Sequence, residues 1–227
     1  MRLAVNLSEN LILSIGPVIG PLVIAIAVID KDKEQYLKAI GVKDSKMLTP
    51  EKREVLVKEI CKICKCYVTK ITAKQLNKWM KVKSLNAIEA DAIADLIFHM
   101  PELEKVEIIY VDSPDPVARK FIWRMNLNKK IKEKIHSSHK ADVLFPICSA
   151  ASIVAKTTRD AEIEKIKKEL GCNFNTGYSH DSATIKCLEE NINNPILKKY
   201  LRSEWKTTKH IIQKMKFKTK QVELGDF

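Results

Sequence analysis

The chain has 227 residues, 45% hydrophobic and 30% charged, a composition that excludes a disordered or fibrous polymer. Its longest apolar run, Pro21 to Ile29, is far too short for a membrane span, so no membrane partner is expected. A net charge of +12 points instead to a polyanion such as nucleic acid.

The N-terminus lacks the basic start, apolar core and small-residue cleavage site of a secretory leader. A cytoplasmic location is therefore expected, with the six cysteines as thiols. Cys61, Cys64 and Cys66 form a CxxCxC cluster. It has no fourth ligand at a recognisable spacing, so ordinary burial is the reading.

Leu22 to Ile29 is nearly continuous apolar sequence and reads as a buried strand. Thr49-Pro50 offers an N-cap hydroxyl and a proline at the first helical position, opening a helix that runs to about Ile63. Cys66 to Ile71 reads as a strand and Ser84 to Met100 as an amphipathic helix. Val106 to Val111 is a second apolar strand with Asp112 at its C-terminal end. Ser113-Pro114-Asp115-Pro116 stops it and turns the chain into another helix. A long helix begins near Pro146 and is closed by Gly171. Asp181 to Asn191 and Pro195 to Met215 read as helices. Early strands and late helices indicate an α/β fold with a mixed sheet.

The segment His139 to Asp160 carries the densest chemistry. Ser149, Ser152 and Lys156 are spaced three and four apart and share one helix face close after Asp142. Two hydroxyls, a lysine and a carboxylate together can hold a phosphate beside a metal ion. Ala150, Ala151 and Ala155 also suit a helix packed tightly in a core.

Six separated segments coincide with one family in the right order. They are Gly16-Pro17-Val18-Ile19-Gly20-Pro21, Val42 to Thr49, Asp112, His139-Lys140-Ala141-Asp142 with its helix, Gly177-Tyr178-Ser179-His180-Asp181, and Trp205-Lys206-Thr207. Together they resemble ribonuclease HII of the archaeal type over about Gly16 to Thr207. The resemblance implies an RNase H-like fold: a mixed five-stranded sheet flanked by helices, with a helical C-terminal extension. Residues 1–180 would form the catalytic core, 181–213 the extension and 214–227 a basic tail. It implies a monomeric endonuclease that cuts the RNA strand of RNA–DNA hybrids, or duplex DNA at embedded ribonucleotides, using two Mn2+ or Mg2+ ions. Asp112 and Asp142 match two of four acidic metal ligands, hence catalytic residues. Tyr178 matches a tyrosine that stacks on the sugar after the scissile ribonucleotide. Gly16, Lys43, Ser45, Lys46, Ser149, Ser152 and Lys156 match positions along the bound nucleic acid.

The N-terminus departs from that pattern. The family's first strand ends in Asp-Glu-Ala-Gly-Arg-Gly, which supplies the other two ligands. Counting back from Gly16-Pro17 without a gap gives Leu11, Ile12, Leu13, Ser14, Ile15 and Gly16. A gapped register instead places Leu3-Ala4-Val5-Asn6 on the strand, with Asn6 where the first aspartate belongs and Glu9 the nearest acid. Neither register restores the pair. Two explanations stand: a diverged, inactive relative that still grips hybrids, or an N-terminal stretch that is not the native one. The abrupt change at Gly16 leans to the second. Ser138 stands where archaeal relatives commonly have glutamate.

At the other end, Gln221, Leu224 and Phe227 have the spacing of the short motif that docks replication and repair proteins on a sliding clamp. The motif usually has two adjacent aromatics, and only the first is present.

Overall fold

A computed structural model describes residues 1–7, 17–42 and 48–214. The described residues fall into two compact units. The first comprises 1–7, 22–42, 48–70 and 83–160, and the second 17–21, 71–82 and 161–214.

The first unit is built on strands β1 (Arg2–Leu7), β2 (Leu22–Ile29), β3 (Lys65–Ile71), β4 (Ile108–Asp112) and β5 (Ile135–Ser138). They form one sheet in the order β3-β2-β1-β4-β5. β1 runs antiparallel to β2 and parallel to β4, which is parallel to β5. The mixed five-stranded sheet is the one the resemblance implies. The helices are α1 (Glu34–Ala39), α2 (Pro50–Ile63), α3 (Ala73–Trp79), α4 (Leu85–Phe98), α5 (Ala118–Arg124), α6 (Lys129–Lys132), α7 (Ala141–Leu144), α8 (Pro146–Leu170), α9 (Ser182–Asn191) and α10 (Pro195–Tyr200). Residues 206–214 are helical as well.

Local chemistry explains the boundaries. Every residue of β2 is buried, as expected of a strand covered on both faces. Thr49 caps α2 by accepting from the Lys52 N–H, and Pro50 sits at its first position. Ser84 caps α4 in the same way. Gly171 ends α8 with φ +66°. Ala150, Ala151 and Ala155 of α8 join Val23, Ala25 and Ala27 of β2 in one buried cluster. The alanine-rich face of this helix is therefore core.

Three expectations change. β1 spans Arg2–Leu7, so the chain adopts the gapped register, with Leu3, Ala4, Val5 and Asn6 on the first strand. The helix expected from Pro195 to Met215 is interrupted. Leu201 leaves the helix to bridge Ile19, and the Arg202 N–H donates to the Val18 carbonyl. Cys172 and Cys187 are joined as a disulfide between the end of α8 and α9, where six thiols were expected.

In the second unit Arg202 is fully buried. Its Nε donates to the Gly20 carbonyl (2.9 Å) and its Nη2 to the Pro21 carbonyl (2.7 Å). Its guanidinium lies 4.9 Å from the Trp205 ring centroid. Gly20 adopts φ +94°, and a Cβ there would meet the Ile163 Cδ1 at 2.9 Å, so no side chain fits.

Candidate active site

The site begins at the C-terminal ends of three neighbouring strands. β4 pairs with β5 so that Asp112 is level with Ser138. β1 pairs with β4 through Val5 and Val111, and one further residue along the ladder brings Asn6 level with Asp112. A row that begins Asn6, Asp112, Ser138 thus contains one carboxylate.

The second carboxylate comes from the turn after β5. Lys140 adopts the left-handed conformation, φ 55° and ψ 39°, the one non-glycine residue with positive φ among the described residues. Such a residue costs of order 1 kcal/mol and persists only where its surroundings hold it. Here the following N–H, of Ala141, donates to Asp112 Oδ1 at 3.1 Å. The same turn starts α7 and buries Asp142, which is 3% exposed. The hydroxyl of Ser149 donates to the Asp142 carbonyl, fixing the turn against α8. Cys148 is buried near the start of α8. Burial pushes its thiol well above the ordinary range, and the charges of Asp112, Asp142 and Glu34 add to the shift. It therefore remains a neutral thiol and offers no nucleophilic thiolate.

A brace behind Asp112 was not evident in the sequence. Asp115 is buried and accepts from Asn86 Nδ2 and Arg124 Nε, both at 2.7 Å. Its backbone carbonyl is 2.8 Å from His139 Nε2. Burial pushes the Asp115 carboxyl up, but Arg124 and Asn86 outweigh it and hold it below the usual range. One residue thus ties the turn after β4 to the turn after β5. The signal available was an aspartate between two prolines.

Ser149 and Ser152 are 2% and 1% exposed. Both are buried rather than on the surface, where direct contact with bound nucleic acid would need them. Lys156, one turn further along α8, is half-buried.

Tyr178 belongs to the second unit. It bridges Pro17, and its ring packs on His180 with centroids 5.4 Å apart. Its loop is held by Asp181, another residue whose task the sequence did not disclose. Asp181 accepts from the Thr176 N–H (2.9 Å), the Asn175 amide (3.1 Å), the Ala183 N–H (3.1 Å) and the Thr184 hydroxyl (3.0 Å). The Gly177 N–H in turn donates to Thr184 Oγ1. Burial would push the Asp181 carboxyl up, but these donors prevail and hold it down at about 2. A carboxylate depressed on folding stabilises above its unfolded value and loses that contribution as pH falls through its folded one. Asp181→Ala should therefore cost about 1–2 kcal/mol near neutrality, after allowance for solvent screening. The difference in melting temperature from the parent should shrink from pH 4 towards pH 2. A constant difference across that range would contradict the assignment.

Gly16, Lys43, Ser45 and Lys46 lie outside the described residues, as do Gln221, Leu224 and Phe227.

The capacity of the acids for a metal follows from their surroundings. Asp142 Oδ1 is buried and has no hydrogen-bond partner. A buried carboxylate oxygen without a donor suits a hard cation. Among the described residues, no group of three or more His, Cys, Asp or Glu is placed to hold a metal ion. Two carboxylates suit a single Mg2+ or Mn2+ whose remaining ligands are water and phosphate oxygens. Among the described residues the donor set is too small for a pair of ions.

The profile of one protein family, ribonuclease HII, matches residues 15–208. The chain belongs to the ribonuclease HII family. The ribonuclease HII of Pyrococcus abyssi is 41% identical over 216 residues, covering 93% of this chain and 92% of that protein. Two solved structures agree. Ribonuclease H2 of Pyrococcus horikoshii superposes with a TM-score of 0.79 at 35% identity, covering 95% of this chain and 98% of that one. The ribonuclease HII in the PCNA:RNase HII complex of Archaeoglobus fulgidus gives 0.79 at 35% identity, covering 93% and 96%. The RNase H-like fold and a ribonuclease HII-like nuclease are thus the frame for the acids described above.

Proposed function

We propose that this chain recognises RNA–DNA hybrids and ribonucleotides embedded in duplex DNA, and that it cuts them slowly with one divalent ion where its relatives use more carboxylates. The observation that carries this is the buried, unpartnered Asp142 Oδ1 in a turn hydrogen-bonded to Asp112. Asp112 and Asp142 would hold Mn2+ or Mg2+. Such an ion supplies Lewis acidity at the scissile phosphate and a water of lowered pKa. The protein's own groups do the rest. Asp112 is fixed by the Ala141 N–H, Asp142 by Ser149, and Lys156 sets a positive charge near the phosphates. Tyr178 stacks on the sugar that follows the ribonucleotide. Gly16, Lys43, Ser45 and Lys46 line the same nucleic acid, with Ser149 and Ser152 supporting from behind.

A second reading, a binding protein that does not cut, draws support from the lack of a third acid among the described residues. One experiment separates the two. Cleavage of a duplex carrying a single ribonucleotide is followed in manganese, beside equilibrium binding of the same duplex. Slow cleavage abolished by chelation supports the enzyme, and binding without cleavage supports the second reading. In either case Tyr178→Ala should lower the preference for a ribonucleotide over plain DNA about tenfold while changing overall affinity less. An unchanged preference would remove Tyr178 from the site. The affinity should fall steeply with salt, as counterions are released from the phosphates.

Residues 1–180 carry the chemistry in this reading, 181–213 form the helical extension and 214–227 the tail. Gln221, Leu224 and Phe227 would dock a monomeric enzyme on a sliding clamp in the cytoplasm. The relative from Archaeoglobus fulgidus is known in complex with PCNA, which supports the reading. No helix among the described residues is long and apolar enough to cross a membrane.

A further inference from the structure

The crossover from β4 to β5 carries a feature that the hybrid site leaves unused. Between Arg119 and Ile135 stand seven basic side chains and one acid, half of the whole chain's surplus of +12. α5, α6 and the start of β5 enclose a cavity of about 740 Å³, lined among others by Arg119, Ile122, Trp123, Lys129, Lys132 and Ile135. Trp123 is 77% exposed, although indole is among the costliest surfaces to leave in water. The neighbouring Phe121 and Met125 are fully buried, so α5 keeps its apolar face in the core and still presents a tryptophan outside. Arg119, Lys130 and Lys132 form no ion pair among the described residues. Lys129 reaches only Glu133, at 3.9 Å, with both side chains exposed. Arg119, Lys130 and Lys132 are therefore free to meet an anion, and Lys129 is held only by a long, exposed pair with Glu133, which also lines the cavity.

The cavity is separate from the acids. Ile135 opens β5, and Asp112 is level with Ser138 three residues further on. At about 3.3 Å per residue, the cavity mouth lies about 10 Å back along the ladder, towards the opposite end of the strands.

An exposed aromatic face among cations that are unpaired or only loosely paired fits a polyanion that also offers flat apolar faces. Single-stranded nucleic acid does both, because its unstacked bases lie on aromatic rings while its phosphates meet the cations. Duplexes keep their bases stacked away from such a ring. The family already works on nucleic acid, so the ligand is at hand. We propose that this cavity is a second nucleic-acid site, for an unpaired strand, in which Trp123 stacks on a base and Arg119, Lys129 and Lys132 neutralise the flanking phosphates.

The test uses the full chain and a dye-labelled oligothymidylate, which has neither ribonucleotide nor duplex. Fluorescence anisotropy reads binding, and quenching of tryptophan emission reads stacking. Trp123→Ala should weaken oligothymidylate binding about tenfold and remove most of the quenching. Affinity for an RNA–DNA hybrid should change less than twofold. Lys129→Glu with Lys132→Glu should weaken binding further and flatten its dependence on salt. Trp123 is a surface residue, so an unchanged melting temperature will confirm that the variant is folded. Equal oligothymidylate affinity in parent and Trp123→Ala overturns the proposal. So does an equal loss of hybrid affinity, which would make the patch part of the duplex site. Anionic lipid vesicles or a polyglutamate peptide that bind through Trp123 while oligothymidylate does not would overturn it as well.

Discussion

Replacing Asn6 with aspartate, together with Leu7→Glu, should raise manganese-dependent cleavage of a ribonucleotide-containing duplex by about a hundredfold or more. The position follows from the ladder. Val5 is level with Val111, so Asn6 stands beside Asp112 at the strand ends. A carboxylate at this position would add a third anionic ligand to the two of the proposed centre. Ion charge and position carry most of the catalysis in such sites, so the gain should appear in the rate of the chemical step. Single-turnover kinetics with enzyme in excess measure that step directly. Asn6→Gln, which keeps polarity without charge, should remain at the parent level. If the double variant cuts no faster than the parent, the missing carboxylates are not what limits this chain.

Arg202→Ala should be the most destabilising single substitution in the second unit, at about 3–5 kcal/mol. The side chain is fully buried and donates charge-assisted hydrogen bonds to the Gly20 and Pro21 carbonyls. Truncation leaves both carbonyls without a donor, opens a cavity, and strips the Trp205 ring of the guanidinium over it. Arg202→Lys should recover only part of the loss, because one ammonium cannot reproduce the planar fork. Urea denaturation compares the three proteins. An unchanged midpoint for Arg202→Ala would show that the buried guanidinium contributes nothing net.

What the sequence disclosed depended on the range of the interactions involved. β2 was legible because a strand covered on both faces needs apolar residues throughout. α2 was legible because a capping threonine and a first-turn proline act within four residues. The placing of Asp112 at the end of the second apolar strand was legible because that run stops at a Ser-Pro turn. β5 was not, because four residues reading Ile-His-Ser-Ser carry no apolar run and are held by pairing with β4. The break at Leu201 was hidden because a basic residue in a helical pattern reads as exposed, whereas Arg202 is needed by carbonyls far away in the sequence. Asp181 and Asp115 were missed for the same reason. Their meaning lies in the donors that the fold gathers around them.

The position of β1 also constrains how the protein is made. β1, the earliest in chain order of the five strands, sits in the middle of the sheet, between β2 and β4. Its pairing with β2 can form early, but its other edge must wait for Ile108 to Val111 to leave the ribosome. During that interval a central, apolar strand presents an open edge to solvent and to other chains. The nascent protein is therefore most exposed to misassembly between the completion of β2 and the arrival of β4. Any event that removes β1 would split the sheet into two halves rather than trim its border.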